Sequence, residues 1–590
     1  MRLLLLTHAF NSLAQRLFVE LRERGHDVSV ELDIADAVTL EAIELFTPDL
    51  VIAPFLKRAI PAAAWKAVPC LVVHPGIVGD RGPSSLDWAV LDAEADWGVT
   101  VLQANAEMDA GDVWAEVRFP MHGVRKSGLY RHEVAAAAID AVLLAVQRQG
   151  MPGWPIAQPP ATPAARGRSR PAMRQQDRSL DWATMDTATI VRRCGSADGA
   201  PGLRDTLFGR PCWLFDVAPA SAALAQRARE RMPGAVPGSE AGRRDDAILR
   251  LTCDGAVWIG QAKPAWDGAH DGMPFKLPAG ILFAAESTAL PAYPVALQHD
   301  ASEYAELRYA QSGDVGTLEF EFYNGAMSTR QCLALRDAVA DAMRRPIRVL
   351  VLAGGRDFFS NGIHLNVIEA HASPADESMR NIEAMDDLVL QILSATHLLT
   401  VSALRGNAGA GGAFLALAAD EVWTHPGTVL NLHYKNMGNL YGSEYWTYTL
   451  PARVGDSRAR EIVQERLPIG ARRALAEGLV DALIESADAA AVSIDAAIAT
   501  RAAQLAADPS YERRLAAKSS RRARDEAARP LARYRDDELA RIRRNFYGFD
   551  PSYHVARYHF VRKLPHAWTP RHLAVHREAG AGRLRAAAPA

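Results

Sequence analysis

At 590 residues the chain is long enough for several domains, each with its own core. Its 66 Lys+Arg against 69 Asp+Glu leave a formal charge of −3, so no bulk field favours nucleic acid. No uncharged apolar run reaches the roughly 18 residues of a membrane span, which speaks against a membrane protein. Five cysteines (Cys70, Cys194, Cys212, Cys253 and Cys332) form no C-x-x-C pair. That usage fits reduced thiols in a cytoplasmic protein, and no metal site is expected. The opening Met1-Arg2-Leu3-Leu4-Leu5-Leu6 is too short for a signal core and reads as a first strand.

Residues 1 to about 150 alternate apolar strands with helical patterns. Strands are expected at Leu3–Leu6, Asp27–Leu32, Leu50–Ala53 and Cys70–Val73, with a helix at Leu13–Arg24 ending before Gly25. This order predicts a parallel, doubly wound sheet, and ligands of such sheets bind beyond the carboxyl ends of the strands. His74 stands at such an end. Ser12 reads as the cap of the first helix.

The stretch Leu71-Val72-Val73-His74-Pro75-Gly76-Ile77-Val78-Gly79-Asp80-Arg81-Gly82-Pro83-Ser84-Ser85 is followed by Gly98-Val99-Thr100 and then Met108-Asp109-Ala110-Gly111-Asp112. Together these resemble the formyltetrahydrofolate-dependent formyltransferases, whose general acid/base chemistry uses an Asn–His–Asp trio. The resemblance implies catalytic roles for His74 and Asp109, and contacts to N10-formyltetrahydrofolate from Gly79, Arg81, Ser84 and Ser85. The Asn position is Val72, which puts conventional formylation of an amine in doubt. Asn11 and Ser12, after the first strand, could supply a substitute polar group.

Gly150 to Pro163 reads as a linker. Beyond it, Leu180-Asp181-Trp182, Pro201-Gly202 and Leu207-Phe208-Gly209-Arg210 resemble the small barrel-like C-terminal domain of methionyl-tRNA formyltransferases. Two basic runs, Arg166, Arg168 and Arg170, then Arg227, Arg229 and Arg231, lack interleaved aromatics for stacking on bases. Both read as solvated charge.

From about Glu303 the pattern changes. Phe322-Tyr323-Asn324-Gly325-Ala326-Met327-Ser328, the turn Ala353-Gly354-Gly355-Arg356-Asp357-Phe358-Phe359-Ser360-Asn361-Gly362-Ile363-His364, and Arg405-Gly406-Asn407-Ala408-Gly409-Ala410-Gly411-Gly412-Ala413-Phe414 occur in that order. They are followed by a helix expected at Ala413–Ala419 and by Gly478-Leu479-Val480-Asp481. The series resembles the enoyl-CoA hydratase/isomerase (crotonase) family. By that resemblance the N–H groups of Ile363 and Gly411 hold a thioester carbonyl, and Ala326 and Met327 lie in the loop that contacts coenzyme A. Exposed N–H groups at a helix start suit an oxyanion. His364 replaces the usual Asp, and Phe414 and Tyr434 replace the two hydratase carboxylates. Water addition needs carboxylates beside the water, so hydration is not expected. Tyr434 and Glu444 are the nearest titratable candidates for acid/base work.

Residues from about 495 onward are helical and basic, with Arg513, Arg514, Lys518, Arg521, Arg522 and Arg524 read as a solvated face, or else as contacts to coenzyme A phosphates. The expected fold is α/β multidomain: a doubly wound formyltransferase domain (1–155), a small β-barrel-like domain (165–285), a crotonase-like spiral domain (300–490) and a helical C-terminal extension (491–590). This order is similar to that of the HypX/HoxX family of nickel–iron hydrogenase maturation. The resemblance implies a two-stage synthesis of carbon monoxide, with N10-formyltetrahydrofolate and coenzyme A as cofactors, small-molecule substrates, and hydrogenase maturation proteins as partners. Two alternatives stay open. One is a formyltransferase for an amine or sugar, with a regulatory coenzyme A-binding half. The other is a non-catalytic maturation scaffold.

Overall fold

The computed structural model of the protein describes every residue except 124, 159–165, 266–272, 486–492 and 579–590. Residues 159–163 of the expected linker therefore lie outside the described residues. The chain forms two compact units, Met1–Ala241 with Leu249–Ala265 and Pro565–Ala590, and Gly242–Ile248 with Trp266–Leu564. Among the described residues no helix is long and apolar enough to cross a membrane, and no group of three or more His, Cys, Asp or Glu could hold a metal ion.

The first unit opens with a six-stranded sheet of β1 (Arg2–Thr7), β2 (Asp27–Leu32), β3 (Leu50–Phe55), β4 (Cys70–His74), β5 (Asp96–Gln103) and β6 (Val113–Pro120), in the order β2-β1-β3-β4-β5-β6. The first four strands pair in parallel, and Leu3 to Leu5 of β1 are fully buried, as expected of a central strand covered on both faces. The last two strands run antiparallel, so the sheet is mixed rather than wholly parallel. Helix Ser12–Glu23 is capped by Asn11, whose Oδ1 accepts the Ala14 N–H at 3.0 Å, and not by Ser12. A second antiparallel sheet follows, from Leu203–Leu207 to Ala256–Pro264.

Arg170 is not solvated linker charge, whereas Arg166 stays exposed. Arg170 is buried and donates to Asp92 at 2.6 Å, and Arg166 pairs with Asp96 and Glu94. The backbone around them pairs with the His74 loop: Arg81 donates to Arg168, and Arg170 donates back to Arg81. A composition rich in Pro and Arg hid this local strand addition.

The segment after Pro565 packs along β2, the edge of the first sheet. Val30 donates to the Leu573 carbonyl at 3.0 Å, and the Leu32 N–H donates to Thr569 Oγ1 at 2.9 Å. Buried Glu31 accepts from His576 Nε2 at 2.9 Å and from Arg577 at 2.6 Å, and is hydrogen-bonded to Thr569. These bonds hold its carboxyl below the usual range against the opposing effect of burial.

In the second unit a six-stranded sheet runs Leu307–Ser312, Val315–Phe320, Val349–Gly354, Leu399–Leu404, Glu421–Thr424 and Ala482–Leu483. Only its first pair is antiparallel. A smaller four-stranded sheet carries Phe358–Ser360 beside Asn407–Gly409. The register therefore brings the two glycine-rich turns together. Helix Thr329–Met343, closed by a Ser328/Gln331 capping box, packs on helix Pro374–Leu393 in the core. Four helices, Ile494–Ala506, Tyr511–Ala528, Leu531–Tyr547 and Ser552–Arg562, complete the unit. Their basic run is not uniformly solvated. Lys518 is buried, with Nζ donating to Asp420 at 2.6 Å and to the Leu398 carbonyl at 2.8 Å. That places it beyond the C-terminal end of helix Gly411–Leu417, away from the N-terminal end where the expected carbonyl-holding N–H lies.

Candidate active sites

In the first unit, His74 ends β4 with its side chain buried between two carboxylates. Nε2 lies 3.0 Å from Asp80 Oδ2, and Nδ1 lies 3.5 Å from Asp109 Oδ2. A neutral imidazole can donate to only one of them, while the protonated ring serves both, so the arrangement suits a ring that gains and loses a proton in turn. Asp109 is held in a left-handed turn (φ 53°), where its Oδ2 accepts the Gly82 N–H at 3.1 Å. Gly76 packs against the ring, since a Cβ there would fall 2.3 Å from His74 Nε2.

Sequence reading paired His74 with Asp109 but missed Asp80, six residues on. Among the described residues the fully buried Oδ1 of Asp80 has no hydrogen-bond partner, and Arg170 Nε stands 3.9 Å from it. Of the residues expected to touch the folate, Ser85 donates to the Pro75 carbonyl at 2.8 Å, and Ser84 Oγ accepts the Met173 N–H at 3.0 Å. Arg81 pairs with Glu107 at 2.7 Å, and Gly79 packs on the Gly167 backbone. All four line the loop that carries His74, and the two serines spend these hydroxyl contacts on shaping it. Val72 pairs with Leu102 one strand over and brings no polar group.

In the second unit, Ala326 and Met327 pair in parallel with Gly362 and Ile363. A Cβ on Gly362 would fall 3.1 Å from the Gly411 nitrogen, so the two expected carbonyl-holding elements are neighbours. Gly411 is the first residue of its helix, where the N–H has no acceptor within the helix. Preceding it, Ala410 takes a positive φ of 48°, which turns the strand end into the helix start. His364 caps helix Leu365–Ala370 through Nδ1, and burial lowers its pKa to about 4, so the ring is neutral.

Glu444 lies over this helix start. A Cβ on Gly411 would come within 2.5 Å of Glu444 Oε1. Its Oε2 is hydrogen-bonded to Tyr434 Oη, whose ring stacks on Phe414 at 5.2 Å between centroids. Ring and carboxyl are both buried. Burial, reinforced by Asp386, raises the Glu444 pKa, and burial beside Glu444 raises that of Tyr434 further. Thus Tyr434, Glu444 and Gly411 meet at one point, with Ile363 at its edge. Sequence reasoning missed three further residues: Ser443, beside Glu444 itself, and Asp386 and Glu538, which helices distant in sequence supply.

The architecture defines the class: a formyltransferase-type domain joined to an enoyl-CoA hydratase/isomerase-type domain. The formyl transferase family model matches residues 10–145, and the enoyl-CoA hydratase/isomerase model matches residues 324–569. A methionyl-tRNA formyltransferase from Syntrophus aciditrophicus is 26% identical over 37% of this chain and 67% of its own. The hydrogenase maturation factor HoxX of Bradyrhizobium diazoefficiens is 52% identical over 98% of this chain and 97% of its own length. The crystal structure of HypX from Aquifex aeolicus in complex with tetrahydrofolic acid superposes with a TM-score of 0.90 at 41% identity, covering 98% of this chain and 99% of that one. The chain belongs to the HoxX/HypX family of hydrogenase maturation factors.

Proposed function

We propose that the protein makes carbon monoxide for hydrogenase maturation, in two steps with N10-formyltetrahydrofolate and coenzyme A as cofactors. In the first, the formyl group passes from N10 of the folate to the coenzyme A thiol. His74 takes the thiol proton and returns it to the folate nitrogen, Asp109 orients the ring, and the Gly79–Ser85 loop faces the folate. In the second, formyl-CoA gives carbon monoxide and the free thiol. Ala326 and Met327 line the thioester path, the N–H groups of Ile363 and Gly411 hold the carbonyl, and Tyr434 and Glu444 move the proton.

The observation that carries the reading is the Glu444 carboxyl seated over Gly411, hydrogen-bonded to Tyr434 and walled by Phe414. A buried acid/base pair suits loss of CO, which needs one proton moved and no water. Partners beyond these small molecules would be other hydrogenase maturation proteins, and the compartment the cytoplasm. The test is single turnover with formyltetrahydrofolate and coenzyme A, following tetrahydrofolate release and CO capture by haemoglobin together. Tetrahydrofolate release dependent on coenzyme A, followed by CO, is expected. Folate turnover without CO would overturn the second step.

A further inference from the structure

Glu444 sits in a cage of groups supplied by several parts of the second unit. Asp386 of helix Pro374–Leu393 accepts the Glu444 N–H at 2.8 Å and the Ser443 hydroxyl at 2.9 Å. Glu538 of helix Leu531–Tyr547 accepts the N–H groups of Tyr445 at 3.0 Å and Thr447 at 2.9 Å, and the Thr447 hydroxyl. All three carboxyls are at most 1% exposed. Glu444 and Tyr445 both take left-handed backbone, with φ of 62° and 56°. Such conformations cost on the order of 1–3 kcal/mol each and persist only where their surroundings hold them. Asp386 and Glu538 do so, and the outcome is a carboxyl aimed at Tyr434 and Gly411.

Proton counting adds a second constraint. Tyr434 Oη lies 2.9 Å from the Ser443 carbonyl oxygen and also contacts Glu444 Oε2. A phenol has one proton and a carbonyl can only accept. Both contacts are hydrogen bonds only if Glu444 itself carries a proton and donates it to the phenol. Glu444 Oε2 also accepts the Ser443 N–H at 3.1 Å, which the oxygen of a protonated carboxyl can still do. The hydrogen bonds into Asp386 and Glu538 all come from donors, which suits carboxylates even though burial raises both pKa values, to about 7 and about 8.

We infer that Asp386 and Glu538 are positioning residues whose charge keeps Glu444 a neutral acid at rest. Resting on the decarbonylation reading above, this fixes the order of proton movements. The C–S bond breaks with its electron pair left on sulfur, which takes the Glu444 proton. The C–H pair stays on carbon as the lone pair of CO, and that proton passes to the Glu444 carboxylate. Formyl-CoA thus gives CO and thiol with Glu444 reprotonated, and no other reactant is needed. The charged and titratable groups around Glu444 are Tyr434, Cys332, Asp386, Asp387, Arg535 and Glu538. Tyr445 also lies among them, and Arg535 is the one cation of this set among the described residues, with Nε 3.7 Å from Asp386 and Nη2 2.7 Å from Asp387.

The experiment is an infrared pH titration of the full-length protein, following the carbonyl stretch of a protonated carboxyl, beside the pH profile of CO release. The wild type should show a band that disappears on the alkaline side of neutrality and is absent from Glu444→Gln. Asp386→Asn and Glu538→Gln remove negative charge and should lower its midpoint by roughly one pH unit. Arg535→Gln removes the cation and should raise it. A packing defect would not move the midpoint in opposite directions, and Arg535→Gln decides alone if the carboxyl variants fail to fold. A missing Glu444 band, or a midpoint unmoved in every folded variant, overturns the inference. A band that behaves as expected in a protein that makes no CO supports the cage and overturns the decarbonylation reading instead.

Discussion

Replacing Gly411 by alanine tests the second site with one methyl group. The added Cβ would meet Glu444 Oε1 at 2.5 Å and Cδ at 2.8 Å, where ordinary contact begins at 3.4 Å. Gly411 has ordinary helical backbone, so alanine brings no strain of its own. The carboxyl must therefore retreat by about 0.9 Å, away from the held carbonyl and against a cage that fixes it on the other side. Displacements near 1 Å at a reacting centre cost on the order of 10²-fold in rate, and the overpacking itself about 1–3 kcal/mol. Gly411→Ala should lose CO output roughly 100-fold while tetrahydrofolate release stays at the wild-type rate. A folded Gly411→Ala that releases CO normally would show that the reacting carbonyl does not lie between Gly411 and Glu444.

Four further outcomes are expected. His74→Ala and Asp109→Ala should each abolish formyl release from formyltetrahydrofolate and leave coenzyme A binding unchanged by calorimetry; normal folate turnover in either refutes the assignment. Spectrophotometric assay should find no hydration of crotonyl-CoA, since Phe414 and Tyr434 stand where hydratases carry carboxylates. Val72→Asn should not create amine formylation, and a gain would favour a conventional formyltransferase. Finally, the Glu31 carboxyl is held below its unfolded value, so its stabilisation is present above the ordinary carboxylate range and is lost as pH falls through the folded pKa. Denaturant titration should show that acid limb flattened in Glu31→Gln, whereas His576→Ala, which removes one partner while Arg577 and Thr569 still hold the carboxyl, should cost about 1–3 kcal/mol near neutrality.

How far the sequence could be read depended on how local each signal was. The strand ends, the His74 loop and both glycine-rich turns are continuous stretches, and their order and spacing marked two domains and six of the residues that meet at the two sites: His74, Asp109, Ile363, Gly411, Tyr434 and Glu444. Long-range partners left no such trace. Glu538 lies 94 positions beyond Glu444 in a run that looks like an ordinary charged helix, and Asp386 lies 58 before it. Arg170 and Lys518 were hidden similarly: a cation in a basic run looks solvated until tertiary pairing shows an acid facing it. Asn11 outcompeted Ser12 as a cap because the helix starts one residue earlier than its apolar pattern suggests.

The segment along β2 has a consequence for how the chain is made. Synthesis delivers Val30 and Leu32 early, yet the residues that satisfy their outward N–H groups, Leu573 and Thr569, follow some 540 positions later. Until then the nascent first sheet presents an open edge with an unneutralised Glu31, the kind of template that invites pairing with another chain. A ribosome stalled anywhere in the second unit would thus release a protein whose first sheet is unfinished, and completion of that sheet reports synthesis through the segment that follows Pro565. Quality control that recognises open strand edges could then discriminate chains that lack this segment from chains that carry it, through the first unit alone.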